Sequence, residues 1–248
     1  EQGPESSAWA QLNTDFKTCS PMQTKKDLQV LLSDLMGNFQ GTVQYNNELP
    51  GVMNAADVCT VMTDASGSPY ENFVKVSAAY RKENGVECDD ASWADMLTWL
   101  TPPEKNPGNP ARPWIFQTCN EFGYFQTTDS PHQPFHSWKP LNLDFYMDMC
   151  SAGFGGWSSE PQVDFMNQVY GSRSIDATNI VFAAGTIDPW HALGVTNYTH
   201  PLPEESEHPV YILGTAHCND LSAPKETDPQ SLIDARAAIA GYIAKWVN

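Results

Sequence analysis

Helical spacing dominates the first 100 residues of the chain. Between residues 27 and 36, apolar side chains recur at intervals of three and four, which is the spacing of one face of an α-helix. They are Leu28, Leu31, Leu32, Leu35 and Met36. We expect Gly37 to end this helix, and Ser92 to be the N-cap of a later one. Three further patterns of the same kind predict helices over residues 55–62, 71–80 and 92–100.

Two proline-rich stretches separate these helices from the rest of the chain. Residues 101–113 contain five prolines and one glycine, and residues 129–140 contain three prolines. Proline lacks the amide hydrogen that a helix interior or a central strand requires. Both stretches are therefore predicted to be loops.

The last third of the chain has a different pattern. Residues 179–184 (NIVFAA) and 210–213 (VYIL) are short apolar runs, which are typical of strands buried on both faces. Residues 231–247 then carry an amphipathic helical pattern. Strand, loop, strand, loop and helix in this order predict an α/β fold.

Two chemically active side chains follow the two predicted strands. Asp188 comes a few residues after the first strand, and His217 a few residues after the second. The carboxyl ends of parallel strands meet at one edge of a sheet, where α/β proteins carry their reactive groups. An acidic residue followed by a histidine is the second half of the Ser, Asp, His order of α/β-hydrolases. The alternative is structural: Asp188 would cap a short helix that begins at Pro189, and His217 would lie in a turn.

The amino-acid composition bears on whether the protein binds nucleic acids or membranes. The chain has 248 residues, with 13 Lys and Arg against 30 Asp and Glu, and a formal net charge of −17. This negative charge repels nucleic-acid phosphates and anionic lipids, so we expect neither a nucleic-acid nor a membrane partner.

The cysteines and one sequon indicate a compartment. Asn197 opens the sequence Asn-Tyr-Thr, a glycosylation acceptor. Disulfides persist in oxidising compartments, so we expect a secreted or lysosomal protein. No pair of cysteines has the spacing of a zinc site, and no metal or organic cofactor is expected. All six cysteines are disulfide candidates with open pairing: Cys19, Cys59, Cys88, Cys119, Cys150 and Cys218.

Several segments resemble those of the S28 serine peptidases. Residues 185–194 (GTIDPWHALG) and 214–220 (GTAHCND) are similar to the Asp and His blocks of that family, and residues 116–127 (FQTCNEFGYFQT) resemble its aromatic-Gln-x-Cys-x-Glu signature. Three shorter segments are similar to the thymus-specific branch of the family: residues 35–40, 43–47 and 57–59.

This resemblance implies an architecture and an activity. The fold would be the C-terminal part of an α/β-hydrolase core plus a mainly helical cap domain, with residues 1–162 as the cap and residues 163–248 as the core portion. The activity would be cleavage of peptides near one terminus, often after proline, in an acidic environment. In this scheme Asp188 orients His217, and His217 acts as general base and acid.

Two further residues gain candidate roles from the resemblance. Glu121, in the Cys-x-Glu signature, would lie near the substrate pocket, where a buried carboxylate could bind a substrate amino terminus; a purely structural acceptor is the alternative. Trp190, beside Asp188, would line the pocket or pack under the loop. His191 ranks behind His217 as the base. Cys218 follows the histidine directly, and we expect it to be disulfide-bonded or buried rather than nucleophilic.

The chain departs from the family pattern at the nucleophile. No serine lies in a Gly-x-Ser-x-Gly elbow, and in relatives the nucleophile would fall before residue 1. We expect an N-terminal chain of the same precursor to carry it, and a homodimer is a further arrangement to consider. The sequence thus predicts a serine exopeptidase, either a carboxypeptidase or a dipeptidyl peptidase, that acts on a peptide substrate. A non-catalytic peptide-binding or structural relative, or an esterase, is the alternative.

Overall fold

The N-terminal two thirds of the chain are helical. A computed structural model describes residues 3–100, 111–157, 159–199 and 206–247. Its first eight helices are α1 (Ser7–Asp15), α2 (Lys25–Gln44), α3 (Ala55–Met62), α4 (Pro69–Asn84), α5 (Trp93–Leu100), α6 (Ala111–Gln117), α7 (Leu143–Gly153) and α8 (Val163–Tyr170). A π-helical turn, Thr118–Phe122, follows α6 directly. The helices predicted over residues 55–62, 71–80 and 92–100 are confirmed, and the Ser92 hydroxyl accepts the Asp95 amide N–H as an N-cap should.

The C-terminal part contains the strands. Its elements are β1 (Ile180–Gly185), a 3-10 helix (Pro189–Leu193), β2 (Glu207–Ile212), a 3-10 turn (Asn219–Leu221) and α9 (Gln230–Val247). The two strands pair in parallel, with Ile180 opposite Glu207 and Gly185 opposite Ile212. The predicted strands and final helix are confirmed. Because the strands run in register, the segments that follow them leave the same edge of the sheet.

The described residues group into two compact units. The first contains Glu1–Asn38 and Thr60–Met166, and the second contains Phe39–Cys59 and Asn167–Asn248. Residues 39–59, which the sequence assigned to the cap, thus group with the strands rather than with the other helices. Among the helices given above, none is both long enough and apolar enough to cross a bilayer.

The first unit is held by apolar cores and by two disulfides. One core is centred on Leu100, Leu141 and Phe145, and the other on Trp9, Leu31 and Leu35. Cys19 pairs with Cys88 across 69 residues, and Cys119 pairs with Cys150 across 31. Cross-links over loops of this length restrict the unfolded chain and stabilise the fold by about 3–4 kcal/mol each.

The second unit is smaller and is organised by its last helix. Leu232 and Ala235 of α9 pack on Ile212 and Val210 of β2. Arg236 of α9 donates hydrogen bonds to the carbonyl oxygens of Asn219 and Asp220. The helix therefore fixes both β2 and the segment that follows it.

One helix boundary differs from the prediction in a way that affects the site. We expected Gly37 to end the helix, but α2 continues through Gly37 to Gln44. A glycine inside a helix costs about 1 kcal/mol. Burial of Leu35 and Met36 in the preceding turn offsets this cost. The extra two turns carry the end of α2 into the second unit.

The first proline-rich loop ends earlier than predicted, whereas residues 129–140 contain no helix or strand, as expected. Residues 101–110 lie outside the described residues, but α6 already begins at Ala111, so Pro113 is in its first turn, where proline is tolerated. Strand β2 begins at Glu207, three residues before the predicted start at Val210, and so includes Pro209. Among the described residues, β2 has one partner strand, and proline is compatible with such an edge position.

Candidate active site

Asp188 is held at the start of the short helix that follows β1. It is the N-cap residue: its Oδ1 accepts the amide N–H of Trp190 at 2.9 Å, and Pro189 occupies the first helical position. The side chain is only 9% exposed. Asp188 is therefore the helix cap that the structural alternative predicts. The cap uses a single carboxylate oxygen and leaves the second one for another partner.

The second oxygen of Asp188 faces His217. His217 Nδ1 lies 2.9 Å from Asp188 Oδ2, and the imidazole is 27% exposed. A carboxylate only accepts hydrogen bonds, so Nδ1 carries the proton and Nε2 presents its lone pair. The two side chains thus form a hydrogen-bonded dyad, which is the arrangement that holds an imidazole in the tautomer of a general base.

The segments that carry the dyad are bonded to each other at the edge of the sheet. The Gly214 amide N–H donates to Thr186 Oγ1 at 2.8 Å, and the Ile187 amide N–H donates to Thr215 O at 3.1 Å. Gly185, at the end of β1, permits this contact: a Cβ there would lie 2.2 Å from Thr215 O and 2.5 Å from Ala216 O. The distance between Asp188 and His217 therefore depends on the absence of a side chain at Gly185.

Gly185→Ala should separate these two segments. We expect the free energy of unfolding to fall by about 1–3 kcal/mol, because Thr215 and Ala216 must move away with His217. Gly194→Ala is the matched control in the same loop, since its Cβ would meet its nearest atom, His191 O, at an ordinary 3.7 Å. Equal effects of the two substitutions, measured by thermal unfolding, would contradict this account.

The end of α2 supplies a third element of the site. Gln44 O accepts the amide N–H of His217 at 3.0 Å, and Gln44 Oε1 accepts the indole N–H of Trp190 at 2.8 Å. The Tyr45 ring lies edge-on to the His217 ring, with centroids 6.0 Å apart. Gln44 and Tyr45 were not predicted as site residues, although both lie in a segment that carries the family resemblance. The prediction that the helix ends at Gly37 hid their role.

Trp190 is beside the dyad as predicted from the resemblance. Its ring centroid lies 6.2 Å from that of His217, and its indole N–H is bonded to Gln44. The side chain is half-buried and its ring is tilted toward His217, and a contact of Trp190 with substrate remains a prediction. His191 is engaged elsewhere: its Nδ1 lies 2.5 Å from the carbonyl oxygen of Asp188. This contact is compatible with the lower rank of His191 as a base.

Glu121 belongs to the first unit, whereas the site residues described so far belong to the second. It is part of the π-helical turn, next to the Cys119–Cys150 disulfide, and its Oε2 accepts the side-chain amide of Gln117 at 3.1 Å. It is half-buried. This geometry gives Glu121 a structural hydrogen bond, and its role in substrate binding remains a prediction.

The remaining candidates are distributed over both units. Asn197 is exposed in a turn that the Thr199 hydroxyl closes by accepting the amide N–H of Thr196, so the sequon is accessible. Four of the six cysteines form disulfides, whereas Cys59 and Cys218 take part in none among the described residues. Cys218 is exposed, so the expectation that it is bonded or buried is wrong. Within the described ranges, no cluster of three or more acidic, His or Cys side chains could hold a metal ion.

Comparison with known proteins connects this geometry to a family. The sequence model of the family described as serine carboxypeptidase S28 matches residues 4–239. The chain is 27% identical to human thymus-specific serine protease over 249 residues, which are 97% of this chain and 47% of that protein. The mouse protein of the same name is 28% identical over 97% of this chain and 48% of its own length.

A second kind of relative matches a shorter part. Bovine lysosomal Pro-X carboxypeptidase is 32% identical over 139 residues, which are 54% of this chain and 26% of that protein. Overall, the chain spans about half the length of the curated relatives that it matches from end to end.

Proposed function

The chain belongs to the serine carboxypeptidase S28 family, and on this basis we propose that it supplies the Asp and the His of a serine exopeptidase. The observation that carries the proposal is the hydrogen bond of 2.9 Å between His217 Nδ1 and Asp188 Oδ2. Family membership also implies an α/β-hydrolase-like fold, with which the parallel strands and the helix packed on them agree. In our proposal, the helical region up to residue 162 is mostly cap, and residues 163–248 are part of the hydrolase core.

The proposed reaction uses the imidazole twice. His217 Nε2 takes the proton of a serine hydroxyl as the serine attacks the peptide carbonyl carbon, and Asp188 stabilises the imidazolium that results. His217 then gives the same proton to the leaving amine, and water completes the cycle by the same route. Asp188 stays ionised throughout, while its other oxygen keeps the loop in place through the Trp190 amide.

We place the nucleophile on another segment of the whole protein. The described contacts of His217 are with Asp188, Gln44, Tyr45 and Trp190, none of which is a serine. An N-terminal chain of the same precursor is the partner that the proposal requires, and a peptide is the substrate. Relatives named as Pro-X carboxypeptidases support a preference for proline next to the cleaved bond.

A secreted or lysosomal location fits the same proposal. The two disulfides of the first unit are stable in oxidising compartments, and Asn197 is exposed for glycosylation. Carbohydrate attached at Asn197 of the native protein, detected by a mass change on enzymatic deglycosylation, would support passage through the secretory pathway.

Labelling with a serine-directed fluorophosphonate tests the proposed activity. We expect the native protein to be labelled on a segment other than this chain, and reducing and non-reducing gels will show whether that segment is a separate chain. Before labelling, the protein should hydrolyse peptides with proline next to the scissile bond faster than matched peptides without proline, and labelling should abolish this activity. If nothing is labelled in folded protein, the peptidase proposal is wrong and the non-catalytic, peptide-binding alternative takes its place.

A further inference from the structure

Glu48 lies in the turn that follows α2, in the same compact unit as the dyad. Its amide N–H donates to Tyr45 O at 3.1 Å, and the Tyr45 ring contacts His217 edge-on. At the start of the same turn, Gln44 O accepts the amide N–H of His217. Residues 44–48, which we call the Gln44 turn, therefore pack against the histidine through both backbone and side chain.

The carboxyl group of Glu48 is incompletely paired. Its Oε1 is buried and has no hydrogen-bond partner among the described residues. Such an oxygen loses hydration without a compensating donor, and no described contact gives it a structural hydrogen bond. A solvated glutamate on an exposed turn would avoid this penalty, and Leu49 and Pro50 show that the same turn does reach solvent.

The charges around Glu48 connect it to the dyad. Burial raises the pKa of Glu48, the positive charges of His217 and Lys225 act in the opposite direction, and the negative charge of Asp188 raises the pKa further. Such interactions are mutual: a cation that favours ionisation of Glu48 is itself stabilised when Glu48 is ionised.

We propose that Glu48 is a positioning residue for His217, and that its carboxylate acts beside that of Asp188 to stabilise the positive charge that the imidazole gains when it takes the serine proton. The inference rests on the proposed function in so far as His217 is the base. It assigns the imidazole two carboxylates with different roles. Asp188 fixes the tautomer through a direct hydrogen bond, and Glu48 acts through space.

The other charged and titratable groups in this region are few. Lys225 acts on Glu48 in the same sense as His217. Cys218, next to the histidine, is affected by burial and by the charges of Asp220, Asp188 and Glu48, all of which raise the pKa of its thiol. Removing the charge of Glu48 alone leaves Asp188, Asp220 and Lys225 in place. A change in the titration of His217 is then attributable to Glu48.

The test is the protonation of His217 in the whole protein. With histidine labelled with ¹³C at Cε1, we expect Glu48→Gln to move the midpoint of the His217 NMR titration to lower pH by roughly half a unit to one unit. The acid limb of kcat/KM should move by the same amount. Glu48→Asp keeps the charge and should restore the midpoint. Glu226→Gln is the matched control, because it removes one exposed carboxylate from the neighbouring loop and should leave the midpoint unchanged.

Each outcome decides the inference. If Glu48→Gln is folded by circular dichroism and its His217 midpoint equals that of the wild type, the inference is wrong, even if kcat has fallen. If Glu48→Gln does not fold, the ¹³C carboxyl signal of Glu48 in the wild type decides: it should show a second inflection where His217 titrates, and a single step would overturn the inference. Absence of fluorophosphonate label would refute the proposed activity and leave the NMR result intact, so the two failures are distinguishable.

Discussion

His217→Ala is expected to lower kcat/KM of the whole enzyme by about 10³–10⁵-fold while the protein stays folded. The side chain is 27% exposed and contributes no buried core, so its removal leaves the hydrogen bonds between the segments at the edge of the sheet unchanged. What disappears is the group that accepts the serine proton. Steady-state kinetics on a proline-containing peptide, together with thermal unfolding, measure both effects.

Asp188→Asn should cause a loss of similar size for a different reason. Asparagine can still accept the Trp190 amide N–H through its side-chain oxygen, so the helix cap is retained. Its NH₂ group would then face His217 Nδ1, which must become an acceptor, and the proton would move to Nε2, where it blocks the role of base. We expect a decrease of about 10³–10⁴-fold in kcat. The double variant should be no less active than the worse single variant, because the two residues act as a unit.

His191→Ala is the control for both substitutions. His191 is three residues from Asp188 and contacts its carbonyl oxygen, but it does not contact His217 in the described structure. We expect its removal to change kcat/KM by less than about 10-fold. If His191→Ala is inactive and His217→Ala is active, the assignment of the base is wrong.

The second large effect concerns Asp34 and the stability of the first, helical unit. Asp34 is mostly buried in α2, where burial and the negative charges of Asp89 and Asp90 raise its pKa to about 7, although Arg81 and the Asp90 amide N–H oppose the shift. Asp89 is itself buried in an ion pair with Arg81 and accepts the Ser77 hydroxyl at 2.6 Å. Asp34 is therefore a carboxyl group beside the carboxylate of Asp89, which already pairs with Arg81.

The sign of the pH dependence of stability follows from the raised pKa of Asp34. In the unfolded chain Asp34 ionises near pH 4, whereas in the folded chain it keeps its proton until about pH 7. The folded state binds more protons in this interval, so stability is greatest at acidic pH and is lost as the pH rises through 7. We expect a decrease in the free energy of unfolding of about 2–4 kcal/mol across this interval.

Asp34→Asn should remove this dependence. The variant should be about as stable as the wild type near pH 4 and more stable by about 2–3 kcal/mol at pH 7.5, because asparagine keeps the acceptor for Asp90 and carries no charge. Thermal unfolding at both pH values, with hydrogen exchange of α2 peptides as a local readout, measures the difference. Asp129→Asn, an exposed position in the same unit, should show no such difference. A wild-type helical unit that is more stable at pH 7.5 than at pH 4 would contradict the assignment.

The sequence predicted the parts of the fold that depend on local patterns. The runs at residues 179–184 and 210–213 are short and apolar, and each leads into a polar residue, so both the strands and the positions of Asp188 and His217 could be expected. The cap at Asp188 was also predictable, because the acid and Pro189 are adjacent in the chain. Local chemistry specified these features, and the structure has them.

The rest of the site depends on contacts that no local pattern encodes. Gln44 and Trp190 are 146 residues apart in the chain, and they meet because α2 continues past Gly37. Helix propensity alone favours an end at that glycine, and packing of Leu35 and Met36 outweighs it. Glu48 was missed because an acidic residue in a turn is ordinarily solvated. Strand β2 likewise includes Pro209, which propensity alone would exclude.

The thiol beside the histidine affects how inhibitor profiles of this protein should be interpreted. Cys218 adopts a left-handed backbone conformation with φ of 56°, so the chain turns immediately after His217, and the residue is largely exposed. Partial desolvation of its thiol and three nearby carboxylates raise the pKa of Cys218, which makes it a slow nucleophile toward alkylating reagents. A bulky adduct at Cys218 would nevertheless lie next to the proposed base and obstruct it. Inactivation by iodoacetamide or maleimides would therefore resemble the signature of a cysteine peptidase, although the nucleophile of the proposed reaction is a serine.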